Sequence, residues 1–152
     1  MFKLVLFAFP LAVFAADPAG FAMWSASDLK AAEKKMTGKV DAQKIAGQSF
    51  ANYGNHMISM SHREGPGIAE LHVRVADIFV VQSGEATLVV GGTIPNSKTQ
   101  SPNEVRGANV EGGMKHKLAP GDIVHIPANT PHQLLVDEGK QFTYFVVKVT
   151  KP

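Results

Sequence analysis

Cysteine is absent from this chain. That removes disulfides, thiolate metal sites, cysteine nucleophiles and the cysteine a lipoprotein anchor needs. An oxidising compartment permits disulfides without requiring them, so the absence is compatible with export. An excess of one charge is missing too. Fifteen basic residues stand against 13 acidic ones, a formal net charge of +2, and nothing in that balance favours nucleic acid or an anionic membrane surface. Beyond the first residues there is no long apolar run. No phosphate-binding glycine loop, dinucleotide fingerprint or serine-centred nucleophile elbow occurs.

The one apolar run is N-terminal. Lys3 precedes it, Leu4 to Phe14 form it, Pro10 interrupts it, and Ala15 and Ala16 follow. It is too short to cross a bilayer as a helix and has the order of a secretory signal. Residues 1–15 are therefore expected to be a signal peptide, with Val13 and Ala15 at the small-residue positions before the cut. The expected product is exported, periplasmic or secreted, with no stable membrane anchor after cleavage. The competing reading is a buried N-terminal helix or a permanent anchor. Residues 16–48 read as an arm carrying one short helix, Ser25 to Met36. Ser25 and Asp28 have capping-box spacing and Gly38 is placed to end the helix.

Residues 49–152 read as one all-β domain, with strand character starting near Ile45. Runs rich in Val, Ile, Thr and Phe recur at Tyr53–His62, Ala69–Val75, Asp77–Gln82, Ala86–Val90, Ile123–Ile126, Gln133–Val136 and Phe142–Val149. Ser83-Gly84-Glu85 reads as a tight hairpin connection and Pro120-Gly121-Asp122 as a turn. Short strands without intervening helices predict an antiparallel sandwich or barrel. The segment 91–118, rich in Gly, Asn, Ser and Pro, is either a variable surface loop or a lid over the barrel mouth. Within it, Val105–Val110 is a candidate short strand.

Chemistry-bearing residues sit in two places. Glu70 and His72 are two apart, so on a strand they share a face, and Asp77 can join them if the next strand folds back beside the first. His132 follows the turn Pro127–Pro131. Two imidazoles and two carboxylates suit Mn, Fe, Zn or Ni. The same residues also fit a solvated charged face or a metal-free hydrogen-bonded cluster. Arg74 shares the parity of Glu70 and His72 and is the candidate substrate-binding residue, for an anionic group. Alternatively it pairs with Glu70 or sits at the rim. His56 and His62 precede the first segment, and one of them can line a pocket. His125 reads as structural or interfacial, and His116 as exposed.

These two segments resemble the two signature motifs of the cupins. Against Gly-x5-His-x-His-x(3,4)-Glu-x6-Gly stands Glu70-x-His72-x4-Asp77-x6-Gly84. Against Gly-x5-Pro-x-Gly-x2-His-x3-Asn stands Gly121-x5-Pro127-x-Asn129-x2-His132-x3-Val136. The resemblance implies a double-stranded antiparallel β-barrel of jelly-roll type behind the helical arm. It also implies metal ligands at Glu70, His72, Asp77 and His132, and pairing into a homodimer. Glu70 replaces a histidine, which adds negative charge to the ligand set, and Asp77 is one methylene shorter than glutamate. Asn129 replaces a glycine but tolerates a left-handed turn.

Two classes of function follow from that resemblance. One is an enzyme acting on a small molecule at a divalent metal in the barrel, with oxygenase-, isomerase- or lyase-type chemistry. The other is a non-catalytic binding or storage protein. An exchangeable position on the ion, beside a proton-transfer group, separates them. No catalytic residue is assigned from the sequence.

Overall fold

The structure is a computed structural model that describes residues 16–151. The expected signal peptide lies outside the described residues. Helix α1, Ala26–Met36, starts on a reciprocal capping box. Asp28 N–H donates to Ser25 Oγ at 3.2 Å and Ser25 N–H to Asp28 Oδ2 at 2.9 Å. After Thr37 caps it, Gly38 takes φ 69°, a left-handed conformation that glycine adopts at little cost. Ala32 and Met36 bury their side chains against Met60. Gly38 N–H donates to Glu64 at 2.7 Å and the Ser83 hydroxyl donates to Glu33, so polar contacts hold the helix at both its middle and its end.

Eleven strands follow: β1 Ile45–Asn52, β2 His56–Arg63, β3 Ala69–His72, β4 Val75–Gly84, β5 Ala86–Val90, β6 Lys98–Ser101, β7 Glu104–Gly107, β8 Met114–Leu118, β9 Ile123–Ile126, β10 His132–Leu135 and β11 Phe142–Thr150. They form a five-stranded sheet ordered β1-β2-β11-β4-β9 and a six-stranded sheet ordered β6-β7-β3-β10-β5-β8. All pairings are antiparallel. The fold is the expected jelly-roll barrel behind a short helical arm. Pairing of β1 with β2 starts at Ile45, ahead of residue 49, where the sequence places the start of the domain.

Two local expectations are corrected. Ser83-Gly84-Glu85 is not a hairpin: β4 belongs to the five-stranded sheet and β5 to the six-stranded one, so the chain turns a corner between sheets. Gly84 makes that corner at φ 76°, where an added Cβ would fall 1.9 Å from the Gln141 carbonyl oxygen. Likewise, β4 does not fold back beside β3. The two lie in opposite sheets, and Asp77 meets Glu70 and His72 across the interior. The segment 91–118 contains three strands, β6, β7 and β8, and β7 borders β3 directly.

Alternation along each strand decides what enters the interior. On β4 the buried positions are Asp77, Phe79 and Val81; on β11 they include Tyr144 and Val146, with Lys148 next in the same parity. On β10, His132 and Leu134 share one face. Phe79, Val81, Leu88, Leu118, Ile126, Leu134, Phe142, Tyr144 and Val146 form the apolar core at one end of the barrel. The polar members of the same series collect at the other end.

Candidate metal and ligand site

Glu70 and His72 come from β3, Asp77 from β4 and His132 from the first position of β10, directly opposite Glu70 in the ladder. The turn before β10 depends on Asn129, whose φ of 61° is the left-handed conformation that asparagine tolerates. The four expected ligand residues converge. His72 Nε2 lies 3.5 Å from Glu70 Oε2 and 3.3 Å from Asp77 Oδ2, and His132 Nε2 lies 3.7 Å from the same Asp77 oxygen. His72, Asp77 and His132 are buried, Asp77 to 2% exposure.

Both imidazoles are oriented from behind. His72 Nδ1–H donates to Glu104 Oε2 at 2.5 Å, and His132 Nδ1–H donates to the Thr130 carbonyl at 2.9 Å. Because a carboxylate or carbonyl can only accept, each Nδ1 carries the proton and each Nε2 offers its lone pair to the interior. Donor atoms of Glu70, His72 and His132 lie within 4.8 Å of one another. Ligands about 2.0–2.2 Å from one ion stand about 3–4.4 Å apart, so small side-chain movements would close these three around a cation. The residues fit a divalent metal.

Basic groups also face the site. Lys148 Nζ donates to Asp77 Oδ1 at 2.9 Å, to Asp77 Oδ2 at 3.0 Å and to His72 Nε2 at 2.9 Å. Arg106 NH1 pairs with Glu70 Oε2 at 2.6 Å and its NH2 with Glu104. Arg63 reaches Glu70 Oε1 and the Tyr144 hydroxyl, both at 3.4 Å. No buried side-chain polar atom among the described residues lacks a hydrogen-bond partner. The partners of Glu70 are thus Arg106 and Arg63, not Arg74.

Burial works against the Glu70 carboxylate, but the positive groups around it, Arg106 first, hold its pKa below the ordinary value. Burial opposes Asp77 as well, and the His72 hydrogen bond and Lys148 charge outweigh it in the same direction. Burial pushes the His132 ring down. At His72 burial and Lys148 oppose charge, while Asp77 and Glu104 carry the ring above its ordinary value. While the ammonium donates to Nε2, His72 is the neutral Nδ1–H tautomer.

All of these groups except His132 line a cavity of about 290 Å³ together with Ser59, Ser61, Phe79, Tyr144 and Val146, and His132 lines a smaller pocket that shares Arg63, Glu70, Phe79 and Tyr144 with it. Arg74 is not among its lining residues. β3 ends at His72, so strand parity does not extend to Arg74, whose exposed side chain donates to the Lys151 carbonyl at 3.4 Å. His56 stacks on Tyr53, and His62 is buried with Nδ1 2.8 Å from Thr143 Oγ1; neither lines the cavity. His116 and His125 are exposed.

Sequence reasoning missed Arg63, Glu104, Arg106, Tyr144 and Lys148. The usable signal was at Lys148, a cation at the inward parity of an apolar strand. Glu104 lay in the segment read as loop, and Arg106 in the candidate short strand Val105–Val110, to which no site role was given.

No protein-family model and no curated protein sequence matches the chain. Solved structures match its fold. A cupin-2 domain protein from Rhodospirillum rubrum aligns at TM-score 0.51 and 16% identity, over 70% of this chain and 60% of that one. KdgF from a Halomonas species aligns at TM-score 0.52 and 17% identity, over 74% and 86%. An oxalate oxidase solved with glycolate aligns at TM-score 0.52 and 14% identity, over 74% and 54%. The chain therefore has the cupin fold, and its inner face brings together a Glu-His-His group able to hold a metal.

Proposed function

We propose that this protein is an exported metal-binding cupin that acts on a small molecule at a divalent ion held by Glu70, His72 and His132, with Asp77 as a fourth ligand once Lys148 has moved away. One observation carries the reading: two histidines from different strands have their Nδ1 protons tied back, so both Nε2 lone pairs meet beside a carboxylate. Two nitrogens and one carboxylate oxygen suit Mn, Fe, Zn or Ni. A bound ion would supply Lewis acidity toward a substrate oxygen.

The chain's own residues do the rest. Glu104 and Thr130 hold the rings, and Phe79 and Val146 exclude water from one side of the cavity. The Tyr144 hydroxyl and Lys148 ammonium are proton-bearing groups on its wall, beside the Ser59 and Ser61 hydroxyls. The oxalate oxidase with glycolate is an enzyme of this fold seen with a small acid, and such a ligand is compatible with a basic-lined cavity of this size.

Protein purified without an affinity tag or chelator from metal-replete medium should carry one transition metal per chain. His132→Ala should remove most of it. Metal-free wild-type protein that also takes up no added zinc would overturn the reading. Export and dimerisation belong to the same proposal. Mass spectrometry should find an N-terminus at Ala16 or Asp17, and light scattering should give a dimer at micromolar concentration. An intact Met1 would refute the first and a monomer the second.

A further inference from the structure

Lys148 stands where a cation would stand. It pairs with Asp77 across the β4–β11 ladder, and its Nζ lies 2.9 Å from Asp77 Oδ1, 3.0 Å from Asp77 Oδ2 and 2.9 Å from His72 Nε2. Those are the atoms that a metal entering between β3 and β4 would take. Two positive charges cannot share them in a buried site without large repulsion. The lysine side chain keeps 29% exposure, and its four-carbon stem is flexible enough to turn into the cavity.

The charges on the cavity wall sharpen the point. Glu70, Asp77 and Glu104 face Arg63, Arg106 and Lys148, so the set is balanced while the histidines are neutral. A divalent ion would add two uncompensated positive charges in a largely buried place. Ligation by Glu70 would also weaken the hold of Arg106 and Arg63 on that carboxylate. A small anion entering with the metal restores the balance and gives the displaced ammonium a partner.

We propose that Lys148 is a tethered cation that competes with the divalent metal for Asp77 and His72, so that this site takes the metal together with a small organic anion. The inference rests on the metal reading above and adds to it the class of ligand and the residue that meets it. Lys148 is a specificity-determining residue in this scheme. A merely structural Lys148–Asp77 ion pair would make the opposite prediction: its loss would loosen the site and weaken metal binding.

The test is titration of Zn2+ into the purified protein by calorimetry, since zinc binds nitrogen and oxygen sites more tightly than Mn2+ or Fe2+. His132→Ala serves as the blank for surface sites. Lys148→Met should bind zinc at least about tenfold tighter than the parent, because a like charge at contact distance is gone. Lys148→Arg should stay close to the parent. If Lys148→Met does not give a cooperative melt, Lys148→Gln takes its place. Acetate at millimolar concentration should tighten zinc binding to the parent about threefold or more, acetamide should not, and the acetate effect should shrink in Lys148→Met. A neutral variant that binds zinc no tighter, or acetate and acetamide acting alike, overturns the inference while leaving the metal centre standing. No zinc uptake above the blank in parent and variant alike overturns both.

Discussion

One barrel interior is built to two opposite specifications. At one end Phe142, Tyr144, Leu88, Leu118 and Ile126 pack without a charged group among them. At the other, six ionisable side chains and two histidines gather, those of β4, β10 and β11 at inward-facing positions of strands that also build the apolar end. β4 passes from Asp77 through Phe79 to Val81, and β11 from Lys148 through Val146 to Tyr144. The backbone pairing is continuous over both ends apart from one irregularity at Thr143/Tyr144. The apolar end supplies the burial that drives folding. The polar end is tolerable because every charge has an opposite partner. A site can thus be written into a barrel by changing side chains along strands whose frame is fixed elsewhere.

The comparison can be broken most severely at its apolar end. Phe142 is fully buried, and Phe142→Ala should cost about 3–5 kcal/mol of stability, read as a lowered denaturant midpoint with unchanged slope. Zinc uptake by the fraction that remains folded should persist. Loss of metal binding at conditions where the variant is fully folded would show that the two ends are not separable.

Acid should act chiefly on the polar end, where the depressed carboxylates are largely buried. Glu70 and Asp77 are held below ordinary values of 4.5 and 3.8. On acidification the unfolded chain takes up these protons first, so their stabilisation is present above those values and is lost as pH falls through the lower folded ones. His132, held below 6.5 by burial, loses stability in the same direction as pH falls below 6.5. His72 is raised, contributes below 6.5 and loses its contribution as pH rises through its folded value. The two histidines oppose each other, so the main loss should fall in the carboxylate range. Melting temperatures at a series of pH values check this, and Asp77→Asn should flatten the acid limb. A limb unchanged in Asp77→Asn would place the sensitivity elsewhere.

The smallest effect is expected outside both ends. Arg74 is exposed and touches only the Lys151 carbonyl by hydrogen bond. Arg74→Ala should change stability by no more than about 0.5 kcal/mol and leave zinc affinity unaltered. A clear drop in affinity would bring the rim into the site.

What the sequence disclosed follows the same division. The apolar end was legible because alternating Val, Ile and Phe between Gly and Pro turns carries the strand signal locally. β5 and β9 agree residue for residue with their expected bounds. The helix cap at Ser25 and the left-handed Asn129 were legible for the same reason, being contacts of near neighbours. The charged partners were not. Lys148 and Asp77 are 71 residues apart and Glu104 and His72 are 32 apart, so no local pattern joins them. β8, Met-Lys-His-Lys-Leu, hid because an edge strand with both faces largely exposed needs no alternation. The corner at Gly84 looked like a hairpin because a glycine turn does not say which sheet the next strand enters.

The placement of α1 has a consequence for the order in which the chain becomes structured. The helix is made early in synthesis, yet its apolar face rests on Met60 and its Glu33 is met by Ser83, 50 residues downstream. A helix this short is marginal in water by itself. It must wait for β2 and β4, and then lock over Met60 as a late step. A chain starting at residue 49 would lack β1's first residues as well as the helix, and would present the buried Met60 side chain to solvent. The arm is therefore a lid on the outer face of the five-stranded sheet, and belongs to the same cooperative unit as the barrel.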